Sequence, residues 1–269
     1  MKLGITNTPC TKVFKIDNNI SKHLYYAFAG IDSSTWEIES LYANDEQYWA
    51  EFVALKKKKS ALKTFISVGG WDFGGKVFSD LASFPGSRKE FINSAISFME
   101  KWGFDDGKDV DTENFVTLLK ELKAACGSTY GITATLPSSY WYMKGFDIVL
   151  MAEYVDHFNF MAYDIHGIWD VNPYTNLTEI SEGLDLLWRN DIEPSKVLLG
   201  LGFYGRSSTL ADSSCKTPGC AFDTSEYMSG GGAPGEYIES SGILSDYEIN
   251  RIIDEYSPTI EYDESAAVN

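Results

Sequence analysis

Five short runs of apolar residues punctuate the chain: 23–31 (HLYYAFAGI), 64–68 (TFISV), 131–136 (GITATL), 157–163 (HFNFMAY) and 197–203 (VLLGLGF). Each is apolar at consecutive positions rather than alternate ones, which is the pattern of a strand buried on both faces of a parallel sheet. Between them, segments 45–59, 87–102, 112–125 and 177–190 carry apolar residues at helical spacing. Strand followed by helix, repeated, predicts an α/β architecture with helices packed outside a parallel sheet. A βα unit occupies roughly 30 to 40 residues here, so a closed barrel of eight units would need about 250 residues. The strand count falls short of eight, and an incomplete barrel is the expectation.

From residue 211 onward the pattern changes to Gly, Ser and acidic residues, as in YMSGGGAPGEYIESSG, with one helix predicted over 245–255. This divides the chain into a barrel portion, 1–210, and a small α+β insertion region, 211–269. The KKKK run at 56–59 fits a helix C-terminus, where cations complement the dipole.

Composition narrows the function. A length of 269 residues with 44% hydrophobic side chains is enough for one large core. The net charge of −17 disfavours nucleic acid and anionic membrane surfaces as partners. No apolar run approaches the roughly 20 residues of a membrane span. The start, MKLGITNTPC, lacks the apolar core of an export leader. Cys215 and Cys220 flank a KTPG turn that could bring them together, and Cys10 and Cys126 make the number even. With sequons at Asn19 and Asn176, these cysteines favour an extracellular setting. With 3 His and no His/Cys/carboxylate cluster at ligand spacing, neither a metal nor another cofactor is expected.

In a parallel barrel, function collects at the C-terminal strand ends. Those positions hold Gly69, Gly70 and Trp71, then Ser138 to Trp141, then Asp164, His166 and Trp169, then Tyr204 and Arg206. Indole faces on a rim suit the apolar faces of pyranose rings, and Asp, Tyr and Arg suit hydroxyls and amides. Packing of helices on strands is the competing role for each Trp. Arg206 could equally be a structural ion-pair partner, and His166 a capped loop residue.

Taken in order, YAFAGI at 26–31, S-V-G-G-W at 67–71, M-A-Y-D at 161–164 and G-F-Y-G-R at 202–206 resemble the strand-end motifs of family 18 glycoside hydrolases, the chitinases, especially fungal ones. The resemblance spans nearly the whole chain. It implies a TIM (β/α)8 barrel with an α+β insertion after the seventh strand, acting as a monomer on chitin or N-acetylglucosamine oligosaccharides. It also implies hydrolysis in which the substrate's own N-acetyl carbonyl is the nucleophile, an exception to the two-carboxylate rule. Tyr163 would hydrogen-bond that carbonyl. Gly70, Trp71, Trp141, Met161, Asp164, Tyr204 and Arg206 would line the substrate.

The family's acid row, a strand of spacing D-x-x-D-x-D-x-E, is matched in WGFDDGKDVDTENF by Asp106, Asp109, Asp111 and Glu113. Read so, Glu113 is the acid that protonates the leaving oxygen, Asp111 orients the acetamido group and Asp109 supports it. Lys108, Thr112 and Asn114-Phe115 depart from the family's apolar, Trp and Tyr-Pro positions, and Lys108 would bury an unpaired charge. The competing reading makes Asp111 or Thr112 a helix N-cap, with Phe115, Leu118, Leu119 and Leu122 as an apolar stripe. Residues 103–105 would then be the stub of the family's fourth strand. The family's first and eighth strands are also expected to be missing. An active chitinase, an inactive chitin-binding relative and a fragment with exposed sheet edges all follow from this sequence.

Overall fold

The computed structural model describes residues 23–70, 73–105, 113–166, 176–215, 220–223 and 231–264. Its elements, in chain order, are β1 (His23–Ile31), β2 (Ile38–Glu39), α1 (Asp45–Ala54), β3 (Lys63–Val68), α2 (Lys76–Ser83), α3 (Pro85–Trp102), α4 (Glu113–Cys126) and β4 (Thr133–Pro137). They continue with α5 (Tyr140–Met143), α6 (Ile148–Met151), β5 (His157–Met161), α7 (Leu177–Trp188), β6 (Val197–Gly200), β7 (Tyr204–Arg206), β8 (Ile243–Ser245) and α8 (Asp246–Tyr256).

Among the described residues the strands form sheets of order β2-β1-β3, β4-β5-β6 and β7-β8. Pairings β1–β3, β4–β5 and β5–β6 are parallel, as the sequence pattern predicts. In β1 the side chains alternate. Leu24 and Tyr26 are buried outward, where the Tyr26 ring meets Trp49 and Phe52 of α1 at 6.3 and 5.7 Å. His23 and Tyr25 face the other way, Tyr25 stacking on Phe65 of β3 at 4.6 Å. His23 also stacks on His157 of β5 at 5.6 Å, so the two parallel sheets meet at their N-terminal ends. The bond Ala27–Phe28 is cis, beside a register shift between Ala27 and Ala29.

The same device anchors the N-terminal end of a strand in each parallel sheet. The Asp105 amide donates to the Thr64 carbonyl at 2.7 Å while its carboxylate accepts from the Thr64 amide at 2.8 Å and from Lys56 at 2.9 Å. The Asp156 amide donates to the Ile132 carbonyl at 2.7 Å, and its carboxylate accepts from the Ile132 amide at 2.7 Å and from Lys123. Burial pushes the Asp105 carboxyl up, but Lys56, the Thr64 amide and Lys63 together hold it below the usual range. Asp105 is thus tied to the start of β3, but residues 103–105 form no strand.

Several boundaries differ from the sequence pattern. The helix expected over 45–59 stops at Ala54 and tightens into a 3-10 turn at Leu55–Lys57, so two of the four lysines lie within that turn. Helix α2 is 8 residues long, too short to carry a periodic signal in the sequence. The run 157–163 leaves the ladder at Met161, and three residues on Asp164 takes the left-handed region at φ 53°. The run 197–203 is not buried on both faces: Leu201 and Phe203 are each 62% exposed, and β6 pairs only with β5 among the described residues. Sequon Asn176 caps α7 by accepting from the Thr178 amide at 2.9 Å, whereas Asn19 lies outside the described residues. Cys215 and Cys220 are disulfide-bonded. Cys126 is buried at the end of α4, and Cys10 lies outside the described residues.

Beyond β6 the chain forms the β7–β8 ribbon, with Ser245 opening α8 through a capping box with Glu248. Glu248 is 5% exposed and accepts from the amides of Tyr237 at 2.7 Å and Ile238 at 3.1 Å.

Candidate functional site

Met161 ends β5, and the chain then turns so that Tyr163 and Asp164 stand at the C-terminal rim. Asp is among the few residues that take the left-handed conformation at modest cost, which is why the turn falls on Asp164. Forty residues on, β7 presents Tyr204 and Arg206 to the same carboxylate. The Tyr204 hydroxyl donates to Asp164 Oδ2 at 2.5 Å. Arg206 donates through Nε at 2.9 Å and through Nη2 at 2.7 Å, both to Oδ1. Burial raises the Tyr204 phenol well above its ordinary range, and its bond to Asp164 adds to the rise, so the hydroxyl stays protonated and donating.

The Tyr163 ring lies edge-on to Tyr204 at 6.2 Å. Glycines make this approach possible: a Cβ at Gly200 would sit 2.9 Å from Tyr163 Cε1, and one at Gly202 would sit 3.1 Å from Tyr204 Cε1. Gly69 and Gly70, after β3, have φ of 104° and 106°, and a Cβ on Gly70 would press on the Phe28 ring at 2.9 Å. Gly70 is therefore a close-approach position of the rim.

Four candidates thus come together as one cluster: Tyr163, Asp164, Tyr204 and Arg206, with Met161 leading into it. Trp141 sits apart on α5, 69% exposed between the exposed Tyr140 and Tyr142, with the Lys144 ammonium 3.5 Å from its ring centre. Trp71, Asp109 and Asp111 lie outside the described residues, as does Trp169. Glu113 is the first residue of α4, not part of a strand, and its side chain lies outside the described residues. Sequence reasoning missed the contact of His166 Nε2 with Glu179 Oε2 at 2.6 Å. Its only trace in the sequence is a carboxylate in the first turn of α7. Among the described residues no group of three His, Cys, Asp or Glu side chains is placed to hold a metal ion.

What this cluster can do chemically is present one oriented carboxylate, a phenol and a guanidinium beside an aromatic face, which suits a neutral polyhydroxylated or amide-bearing ligand. Mouse chitotriosidase-1 is 32% identical over 87% of this chain. The chain spans 18 to 56% of the length of the curated relatives it matches. Among solved structures, Ostrinia furnacalis Group IV chitinase superposes with a TM-score of 0.82 at 27% identity, covering 94% of this chain and 76% of that one. Human YKL-39, described as a pseudo-chitinase with retained chitooligosaccharide binding properties, superposes with a TM-score of 0.81 at 26% identity, over 94% of this chain and 75% of that one. These likenesses give the chain a TIM-barrel-like α/β fold. The sequence model for glycosyl hydrolases family 18 matches residues 5–269, nearly the full length, and this chain belongs to that family.

Proposed function

We propose that this chain is a chitinase-like glycoside hydrolase that takes β-1,4-linked N-acetylglucosamine oligomers along the C-terminal rim of its parallel strands. The observation that carries the reading is the convergence of Asp164, Tyr204 and Arg206, from two distant strand ends, on one oriented carboxylate. Their partnership fixes a polar wall beside Tyr163, whose hydroxyl would hold the N-acetyl carbonyl as it attacks the sugar's anomeric carbon. Gly70, Trp71, Trp141 and Met161 complete the sugar-binding rim. Glu113 is the proposed acid, with Asp111 and Asp109 as its supporting carboxylates. The barrel portion is 1–210 and the insertion region 211–269. The module works outside the cell as a monomer in chitin degradation, with no cofactor.

A second reading, a chitin-binding relative without hydrolysis, is favoured by the placement of Glu113 at the start of α4 rather than on a strand. One experiment decides between them: purified protein and Glu113→Gln are compared for cleavage of a chitin oligosaccharide and retention on chitin beads. An active enzyme cleaves, and the variant retains bead binding while losing at least about a hundredfold in rate, the usual scale of a general acid. Equal cleavage by both removes Glu113 from the role. Retention without cleavage by either selects the binding reading, and loss of both overturns the carbohydrate reading.

A further inference from the structure

Outside the rim cluster, a cavity of about 410 Å³ lies between α7 and the turn that follows β4. This is within the roughly 300 to 1,000 Å³ of small-molecule sites. Its walls include Ser138, Ser139 and Tyr140 on one side and Glu179, Glu182 and Asp185 of α7 on the other. The close approach of the two walls depends on Gly183, whose Cβ, if present, would collide with the Ser138 carbonyl oxygen. We infer that this cavity is a second saccharide subsite, one that takes a cationic amino sugar, the N-deacetylated unit of the polymer proposed above. The assignment of the polymer rests on that reading.

Two independent features point to such a ligand. The first is charge. The three carboxylates recur every third residue along α7, and like charges at that spacing repel one another. Glu179 has His166 as partner, but among the described residues the side chains of Glu182 and Asp185 have no ion-pair or hydrogen-bond partner. Arg189 also lines the cavity, one turn beyond Asp185, without pairing to it. Lys144 is turned to the Trp141 ring instead. An incoming ammonium group would therefore meet two unpaired carboxylates.

The second is the hydroxyl of a buried residue on the cavity wall. Ser138 is 6% exposed, lines the cavity and has no hydrogen-bond partner among the described residues. Polar groups on buried residues are normally bonded. Sugar hydroxyls both donate and accept, so one ring could bond Ser138 while its ammonium meets Glu182 and Asp185. A metal ion would suit that hydroxyl less well, and among the described residues no three-ligand cluster is placed to hold one. Tyr140 at the mouth offers an exposed ring for the sugar face, and the net charge of −17 draws a polycation from a distance.

The test is calorimetric titration of the full chain, near pH 6 and at low salt, with a glucosamine oligomer and an N-acetylglucosamine oligomer of equal length. Glu182→Gln/Asp185→Asn should weaken the glucosamine oligomer at least tenfold and leave the N-acetylated oligomer within twofold. A control, Asp254→Asn/Glu255→Gln, removes the same charge from the exposed face of α8 and should change neither. The inference is overturned if the parent chain does not bind the glucosamine oligomer. It is equally overturned if the cavity variant binds it as the parent does, or if the control loses as much. If only the glucosamine oligomer binds, and does so through Glu182 and Asp185, the rim reading fails while the cavity assignment stands.

Discussion

Arg206 meets Asp164 through two different nitrogens, and that geometry is unavailable to lysine, a single point charge on a flexible stem. Arg206→Lys should therefore weaken chitooligosaccharide binding by about tenfold, the equivalent of roughly 1.4 kcal/mol, with little change in thermal midpoint because the pair is partly solvated; titration and melting together check this. Glu248 is a different kind of carboxylate. Its burial alone would raise its pKa, but the Ser245 hydroxyl and the amides of Tyr237, Ser245 and Ile238 outweigh that and lower it. A lowered folded pKa contributes stability above the unfolded glutamate value of about 4.3, and that stability disappears as pH falls through the folded value. Glu248→Gln should cost about 1.5 to 3 kcal/mol at pH 7. The thermal midpoints of parent and variant should converge as pH drops below about 4; a gap that stays constant with pH would refute the role given to the carboxylate.

At the scale of elements, one joint between helix and strand depends on a missing side chain. Gly183 lets α7 sit against the carbonyl of Ser138 and, through the space a Cβ would fill, within 3.0 Å of the Phe160 ring. Gly183→Ala should cost about 1 to 3 kcal/mol or more despite the better helix propensity of alanine, because backbone cannot yield as a flexible side chain can. Chemical denaturation would measure it, and a stabilised variant would contradict the packing described. The elements themselves were largely legible: β1, β3, β4 and β5 fall on apolar runs, and α3, α4, α7 and α8 on periodic ones. The misses are physical. Helices α2, α5 and α6 have 8, 4 and 4 residues, too few turns for a periodic signal. Strand β2 has 2 residues and exists only through its antiparallel contact with the end of β1.

Across the whole molecule, the apolar run 197–203 looks like core in sequence yet among the described residues lies at an edge. Leu199, Leu201 and Phe203 are exposed together, and an apolar edge is a template for self-association. Leu201→Ser/Phe203→Ser should lower light scattering at high protein concentration and leave the thermal midpoint within a degree or two; unchanged scattering would mean that these side chains are covered in solution. The sequence by itself determined the family, through motifs spread over four strand ends, and the alternation of strand and helix, because both are written in short local patterns. It also supplied the members of the rim cluster one by one. Only the tertiary structure decided that Asp164 is held by both Tyr204 and Arg206 across about forty residues of chain, since such pairing depends on strand register and on glycines that permit close approach. The acidic wall of α7 across the cavity from Ser138 was likewise hidden, because spacing along a helix reveals which side chains share a face but not what that face meets.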